Sequence, residues 1–236
     1  MKFTGERYVP GQTRKIIEED HFQRYEFAKN FSKNKIVLDI ACGAGYGSQM
    51  INSGGAKKVI GLDIAREAID YAKSNFSDKN LEFYCQPADN LPFSDAYFDL
   101  VVSFETIEHL KDDVRDDYLK EIFRVMKPGA ELIISTPNKL VTSPNSVKPL
   151  NKYHFKEYQL KEFKNTLIKN NFKIKELYGQ RQIQRWLNNF WLRKFIYFIG
   201  LFNKIHLKIY DVASGPEVLP LKKNYESTYF IIVAQK

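Results

Sequence analysis

The stretch VLDIACGAGYGSQM, residues 37–50, decides the fold. It runs from aliphatic residues into three glycines at alternate positions, Gly43, Gly45 and Gly47. This order is typical of a strand followed by a tight turn and the start of a helix, where unpaired N–H groups and a positive dipole end favour an anionic group. The bare backbone predicts a flat, polar, nucleotide-like ligand against the turn. Alternatively, the glycines only shape the turn.

Strand-like and helix-like runs alternate along the chain, which is typical of a mostly parallel sheet covered by helices on both faces. We therefore predict an α/β fold. Strands are expected at residues 35–40, 58–63, 81–85, 98–104, 130–136, 172–178 and 228–234. Helices are expected at residues 65–76, 114–126 and 156–170, with Lys127-Pro128-Gly129 ending the second of them.

Size and composition indicate a single domain. The chain has 236 residues, 44% of them hydrophobic, which is enough for a sizeable core. We expect no signal peptide in the polar first ten residues and no spanning helix, and hence a cytoplasmic protein. Cys42 and Cys85 show no metal-type spacing and are expected to be reduced and buried. The net charge of +8 indicates an anionic partner without identifying it.

Asp63 adds weight to a nucleotide-like ligand. It closes the second predicted strand a little over 20 residues after the first one, where a carboxylate would accept hydrogen bonds from both ribose hydroxyls. Alternatively, Asp63 caps the following helix.

Four successive motifs resemble those of class I S-adenosylmethionine-dependent methyltransferases in order and spacing. They are VLDIACGAGYGS, VIGLDIA, QPADNLPFSDAYFDLVVSFETIEHL and VMKPGAELIISTPN, within residues 35–137. FTGERYVPG, DHFQRYEFA and YHFKEY are similar to the branch associated with surface-polysaccharide biosynthesis. The resemblance implies a Rossmann-like sheet of seven strands with an antiparallel last strand, and S-adenosylmethionine as cofactor.

We accordingly expect one methyltransferase domain over residues 1–236. Its expected parts are an N-terminal lid (1–33), the cofactor-binding core (34–137), a substrate-side loop, helix and strand (138–180), a basic aromatic insertion (181–226) and the last strand (227–236).

The resemblance also implies cofactor contacts. Asp39 and the turn from Gly43 to Gly45 are expected to face the methionine end, and Ala41 and Glu105 are expected to be further cofactor-binding residues. Asp63 is expected to hold the ribose, Ile64 to pack on the adenine, and Asp89, beside Ala88 and Asn90, to meet the adenine amino group. Asp39 could instead tie down backbone N–H groups, and Asp89 could be a turn residue.

The acceptor atom is suggested by SFETIEHL at the end of the fourth strand. Enzymes of this fold that methylate an adenine or amide nitrogen usually carry an Asp or Asn, two prolines and an aromatic residue there. Their absence favours an oxygen acceptor. A hydroxyl is a poor nucleophile at neutral pH and needs a general base or a metal to take its proton.

Glu105, Glu108 and His109 are the candidates for that role. In a helical turn, positions i, i+3 and i+4 share one face, so the three side chains would converge. The string resembles the divalent-metal ligands of small-RNA 2′-O-methyltransferases, with His154 in the place of their later histidine. Mixed carboxylate and imidazole ligands favour manganese, zinc or iron over magnesium. Without a metal, His109 is the expected base; alternatively, Glu108 pairs locally and His109 only packs.

Two flanking segments carry further expectations. The N-terminal segment is predicted to be a lid, a packed helix, or both, from Arg7, Tyr8, His21, Phe22, Arg24, Tyr25 and Ala28. Residues 181–209 are basic and aromatic without an acidic residue. They predict an amphipathic helix pair on the inner face of an anionic membrane, or a lid over a lipid-linked substrate. A buried helix or dimer contact is the alternative, and nucleic-acid binding ranks third.

These observations favour an O-methyltransferase that acts on a sugar hydroxyl, free, nucleotide-linked or lipid-linked. The alternatives are an RNA ribose 2′-O-methyltransferase and a non-catalytic cofactor-binding subunit of a glycosyltransferase complex. The oligomeric state does not follow from the sequence.

Overall fold

The computed structural model describes residues 11–184 and 215–236. The helices in these ranges are α1 Lys15–Lys29, α2 Tyr46–Ser53, α3 Arg66–Asn75, α4 Asp112–Val125, α5 Lys139–Thr142 and α6 Leu160–Lys169. The strands are β1 Ile36–Ile40, β2 Lys58–Asp63, β3 Leu81–Cys85, β4 Phe98–Ser103, β5 Met126–Pro137, β6 Lys173–Gln184, β7 Leu219–Pro220 and β8 Tyr225–Gln235. A short 3₁₀ turn at Ile107–His109 follows β4.

The strands form one sheet in the order β3-β2-β1-β4-β5-β8-β6-β7. Strands β1 to β5 are parallel, and β8 pairs antiparallel with both β5 and β6. The predicted mostly parallel sheet with an antiparallel last strand is confirmed. The described residues contain eight strands instead of seven because Leu219–Pro220 pairs briefly with Tyr178 and Gly179.

The sheet has a core on each face. One contains the predicted apolar face of α4 together with α6: Tyr118, Leu119, Ile122, Val125, Phe163 and Leu167. The other contains residues of α1, α2 and α3: Tyr25, Ala28, Ile51, Ile69 and Ala72. Helices on both faces leave the strand ends as the natural place for a ligand site, at the point where the strand order reverses beside β1.

The expected role of Lys127-Pro128-Gly129 is wrong in one respect. Helix α4 ends at Val125, and β5 begins at Met126, opposite Phe98. From there to the next pair, Leu100 with Glu131, β4 advances two residues and β5 advances five, so the Pro-Gly segment is a bulge inside the strand. Gly129 supplies the positive φ of 80° that this bulge requires.

The predicted bounds of the basic aromatic insertion also need correction. Strand β6 continues to Gln184, and β8 already begins at Tyr225. Gln182 pairs with Ser227 and Ile183 with Glu226, so both described ends of the 181–226 segment belong to the sheet. Most of the 181–209 stretch lies outside the described residues, and its expected role stays a prediction.

Helix α1 is tied to the sheet by buried polar contacts. Arg24 Nη1 donates to Gln180 Oε1 at 2.7 Å, and Arg181 Nε donates to Asp20 Oδ1 at 2.7 Å. The expected packed helix is present, since Tyr25 and Ala28 are buried. Arg7 and Tyr8 lie outside the described residues, and lid closure stays a prediction.

None of the described helices is long and apolar enough to cross a membrane.

Candidate active site

A cavity of about 580 Å³ opens where β1, β2 and β4 end. Its walls come from the segments that follow these strands and β3, and from α1 and the start of α4. The lining residues named by the sequence analysis are His21, Tyr25, Ala41, Cys42, Gly43, Asp63, Ile64, Ala88, Asp89, Glu105 and His109. The volume lies in the range of small-molecule and cofactor sites.

The three glycines of the opening stretch are required for different physical reasons. A Cβ on Gly45 would stand 2.6 Å from Ala72 Cβ, and one on Gly47 would stand 2.1 Å from Tyr25 Cζ. These two glycines therefore allow neighbouring helices to approach, and Gly45 does not line the cavity. Of the three, Gly43 is the one that lines it, at φ 55°.

Asp63 lies at the cavity wall and is nearly buried, with 5% of its surface exposed. Its Oδ2 accepts a hydrogen bond from Gly43 N at 2.9 Å, and its Oδ1 accepts one from Ala65 N at 2.8 Å. The carboxylate thus joins the glycine turn to the end of β2. Each carboxylate oxygen has a second acceptor site, so these bonds are compatible with a further donor from a ligand.

The residues expected around the adenine lie together on the same side of the cavity. Ile64 lines it and is 73% exposed, which is unusual for an isoleucine beside a buried strand end. Ala88 and Asp89, in the segment after β3, line the cavity as well, and Gln86 N donates to the Asp63 carbonyl at 3.1 Å. An exposed apolar side chain together with a carboxylate suits a flat aromatic base that carries an amino group at its edge.

The structure does not bring Asp39 to the cavity. It is fully buried, and its oxygens accept hydrogen bonds from Tyr25 Oη at 3.2 Å and Ser48 Oγ at 2.6 Å. Burial raises the pKa of Asp39 to about 7. Asp39 therefore holds the glycine turn in place by accepting hydrogen bonds from Tyr25 in α1 and Ser48 in α2. This role differs both from the expected cofactor contact and from the expected hydrogen bonds to backbone N–H groups.

Glu105 lines the cavity but does not join Glu108 and His109 on one helical face. Its backbone is left-handed, with φ 48°, and the 3₁₀ turn starts two residues later. Its N–H donates to Ser135 Oγ at 3.1 Å, and that hydroxyl donates back to Glu105 Oε1 at 2.6 Å. The expectation that it is a metal ligand is not supported by this geometry, because helical spacing does not apply across a left-handed residue.

The other three predicted residues do converge. Glu108, His109 and His154 each offer a ligand atom, and these atoms lie within 4.8 Å of one another. The two imidazole rings meet edge to face with centroids 4.9 Å apart. The three are called the His-Glu cluster below. Of its members, only His109 lines the cavity.

Both imidazoles of the cluster are held by neighbours. His109 Nδ1 lies 3.1 Å from the Tyr153 carbonyl oxygen, which can only accept, so Nδ1 carries the proton. His154 Nδ1 lies 2.8 Å from Glu157 Oε1 and His154 Nε2 lies 3.0 Å from Asn151 Nδ2. Although burial opposes it, the hydrogen bond from His154 lowers the pKa of Glu157.

Glu108 is the most unusual member of the cluster. It is fully buried, and Thr136 Oγ1 donates to its Oε2 at 3.1 Å. Its Oε1 has no hydrogen-bond partner among the described residues. Burial, and then the nearby negative charge of Glu105, raise the pKa of Glu108 well above its ordinary value.

The sequence analysis missed several polar groups of the site, among them Gln86 and Thr106 on the cavity wall. Tyr46 lines the cavity and its hydroxyl lies 3.1 Å from His21 Nδ1. Ser135 holds Glu105 from the neighbouring strand. Tyr46 had a signal, since it is the aromatic residue inside the GAGYG turn, whereas Ser135 had none because its role depends on pairing between β4 and β5.

Comparisons with known proteins agree with this geometry. The family model described as a methyltransferase domain matches residues 37–129. A probable S-adenosylmethionine-dependent methyltransferase of Mycolicibacterium smegmatis is 32% identical over 184 residues, covering 76% of this chain and 68% of that relative. The chain belongs to the S-adenosylmethionine-dependent methyltransferases. It is an enzyme family, and S-adenosylmethionine is its methyl donor.

Other matches cover less of the relative. A probable S-adenosylmethionine-dependent methyltransferase of Mycobacterium tuberculosis is 32% identical, and the match spans 71% of this chain and 60% of that protein. A ubiquinone biosynthesis O-methyltransferase of Coxiella burnetii is 34% identical over 109 residues, spanning 45% of each chain.

Solved structures confirm the fold. A methyltransferase from Mesorhizobium loti has a TM-score of 0.62 at 14% identity, covering 92% of this chain and 98% of its own. One from Thermotoga maritima has a TM-score of 0.63 at 15% identity, covering 94% of this chain and 91% of its own.

The cavity residues fit S-adenosylmethionine. Asp63 offers a carboxylate for the ribose, exposed Ile64 offers an apolar face for the adenine, and Gly43 offers backbone at the glycine turn. When bound, the cofactor supplies an electrophilic methyl group on a sulfonium. The residues at the end of β4 would then border the acceptor side.

Proposed function

We propose that this methyltransferase acts on a hydroxyl oxygen and that its acceptor is a saccharide. The observation that supports an oxygen acceptor is the His-Glu cluster at the end of β4, with His109 on the cavity wall and Glu108 and His154 behind it. A hydroxyl must lose its proton as the new bond forms, and a positioned imidazole is well suited to take that proton.

His109 would be the proton acceptor. Because Nδ1 donates to the Tyr153 carbonyl, the lone pair of this imidazole is on Nε2. His154 packs edge to face against the ring and is itself held by Glu157. These contacts fix the ring orientation, so less reorganisation is needed when a hydroxyl approaches.

A divalent metal is a second role for the same cluster, favoured by the unpartnered Oε1 of buried Glu108. One carboxylate and two imidazoles are a donor set that suits manganese, iron or zinc. Tyr153 and Glu157 would be the outer partners that orient the two imidazoles, as metal-binding histidines usually require. Ligation through His154 Nε2 would require the Asn151 amide to turn away.

Substitutions in the cluster test the oxygen-acceptor proposal. We expect His109→Asn and Glu108→Gln each to slow methyl transfer by about 100-fold or more, the usual contribution of general acid–base groups. Binding of the demethylated cofactor should change by less than about threefold, because Asp63 and the glycine turn are untouched. Glu162→Gln, on the partly exposed start of α6, is the matched control and should leave the rate unchanged.

Metal content separates the two roles. Elemental analysis of protein purified without chelator should detect a bound divalent metal if the cluster holds one. Dialysis against EDTA should then abolish methyl transfer, whereas it should leave the rate unchanged if His109 acts alone. Transfer that is unaffected by His109→Asn and Glu108→Gln would contradict both roles.

The acceptor class is tested with a panel. The saccharide proposal rests on the opening and YHFKEY stretches of the sequence, and we expect nucleotide-linked or lipid-linked sugars to be methylated. A phenolic hydroxyl is the second candidate, favoured by the similarity to a ubiquinone biosynthesis O-methyltransferase over 109 residues. RNA oligomers, which offer ribose hydroxyls, are the third class of acceptor in the panel. Methylation of phenols or RNA oligomers but of no saccharide would contradict the proposed acceptor.

A further inference from the structure

The segment of residues 139–156, called the basic loop here, has an unusual surface. Nine large apolar side chains are exposed among the described residues, and five of them lie in this segment: Leu140, Val147, Leu150, Tyr153 and Phe155. Val147 is 93% exposed and Leu150 is 68% exposed. Such clustering on a water-soluble surface usually marks an interaction site.

The charge of the basic loop is one-sided. It contains four lysines, Lys139, Lys148, Lys152 and Lys156, and no Asp or Glu. Lys152 lies over the Tyr153 ring at 4.9 Å from the centroid, and Lys111 of the neighbouring turn lies over the Phe155 ring at 5.9 Å. Cationic and apolar groups are therefore interleaved on one surface instead of separated.

The basic loop lies beside the active site. The Tyr153 carbonyl accepts from His109 Nδ1 at 3.1 Å, and Phe155 N donates to the Glu108 carbonyl at 2.8 Å. A surface or molecule that binds to Tyr153 and Phe155 would therefore lie next to His109, the residue proposed to take the acceptor proton.

We propose that the basic loop docks the enzyme on an anionic lipid surface. Aliphatic side chains that protrude among lysines match the boundary between acyl chains and negatively charged headgroups. The two most exposed apolar residues of the loop, Val147 and Leu150, are aliphatic and cannot stack on nucleobases. Although Tyr153 and Phe155 could stack, this aliphatic majority favours a lipid surface over single-stranded nucleic acid. The basic loop is a different part of the sequence from the 181–209 stretch. Vesicle binding needs no turnover, so the inference does not depend on the proposed acceptor.

Vesicle co-sedimentation of the full chain tests this inference. We expect binding to vesicles of 70% phosphatidylcholine and 30% phosphatidylglycerol, and little binding to pure phosphatidylcholine. Lys148→Gln with Lys152→Gln should weaken vesicle binding about 30-fold, since each lysine near such a surface contributes about 1 kcal/mol. Val147→Asp with Leu150→Asp should weaken it by about tenfold or more.

The matched controls change lysines and an exposed isoleucine outside the basic loop. Lys73→Gln with Lys79→Gln removes two exposed charges near the β3 edge, and Ile168→Asp changes an exposed isoleucine on α6. Both should bind vesicles as the unchanged protein does. Retained binding of the demethylated cofactor by the loop variants would show that they are folded.

Three results would overturn the inference. The unchanged protein could show no preference for the anionic vesicles. The loop variants could bind them as well as the controls do. Finally, the loop variants could retain vesicle binding and lose binding to an RNA oligomer, which would assign the surface to nucleic acid.

Discussion

At the scale of single residues, the site shows how far the position of a side chain can be predicted from the spacing of motifs. Asp63, Ile64, Asp89 and His109 were predicted from motifs and lie at the cavity. Glu105 was expected to share a helical face with Glu108, and its left-handed backbone, φ 48°, prevents this. The hydrogen bonds that hold Glu105 come from Ser135 on β5, 30 residues later in the chain, so the residues around Glu105 give no signal for them.

The glycines show the same limit in another way. A glycine-rich turn indicates that bulky side chains are excluded, but the sequence does not say by what. At Gly45 the excluded space belongs to Ala72 and Phe83, and at Gly47 it belongs to Tyr25. Of the three glycines, only Gly43 lines the cavity, so the ligand contact stays a prediction for Gly43 alone.

Asp39→Asn tests the role of the buried carboxyl. Its pKa is about 7 in the folded protein and 3.8 in its ordinary state, so folding favours the protonated form. The resulting stability is fully present below about pH 4 and is lost as the pH rises through about 7. Asparagine cannot ionise, so we expect the melting temperature of the unchanged protein to fall roughly 5 °C more than that of the variant between pH 5 and pH 7.

The matched control is Asp70→Asn, an exposed aspartate of α3. Its melting temperature should follow that of the unchanged protein at every pH. Parallel curves for the Asp39 variant and the unchanged protein would show that Asp39 is not buried in the protonated form.

At the scale of elements, the alternation of strands and helices was sufficient to predict the core. Strands β2 and β3 have the predicted bounds, and the apolar spacing of α4 corresponds to buried side chains. The errors are at strand ends. The Pro-Gly signal of residues 127–129 is a bulge, and β6 and β8 extend beyond their predicted ends because they pair with each other through ten register positions.

Gly47→Ala tests the packing of α1 against α2. The added Cβ would stand 2.1 Å from the ring of Tyr25, whose hydroxyl donates to Asp39. Because α1 is held by buried contacts with β6, the ring cannot move away without loss of packing. We expect the melting temperature to fall by about 5 °C, the effect of overpacking by about 2 kcal/mol in a chain of this size.

Ser53→Ala, at an exposed position of α2, is the control for this substitution. It should shift the melting temperature by less than about 1 °C. An equally small shift for Gly47→Ala would mean that α1 is not packed on α2 as described.

At the scale of the whole molecule, fold and family follow from different kinds of observation. The sheet order and the cavity at the ends of β1, β2 and β4 place the site, and the 32% identical relative establishes the methyltransferase family. The choice of acceptor molecule depends on surfaces outside the cofactor-binding motifs, and those motifs do not predict it. The net charge of +8 became informative only where the structure placed lysines beside exposed aliphatic residues in the basic loop.

The central claim is that S-adenosylmethionine binds in the cavity with its ribose held by Asp63. Titration calorimetry with the demethylated cofactor measures this directly. We predict saturable binding to the unchanged protein, at least about tenfold weaker binding to Asp63→Asn, since bonds to charged groups contribute about 1.5–3 kcal/mol, and unchanged binding to Asp70→Asn. Folded protein that gives no saturable heat, or an Asp63→Asn variant that binds as tightly as the unchanged protein, would contradict the account.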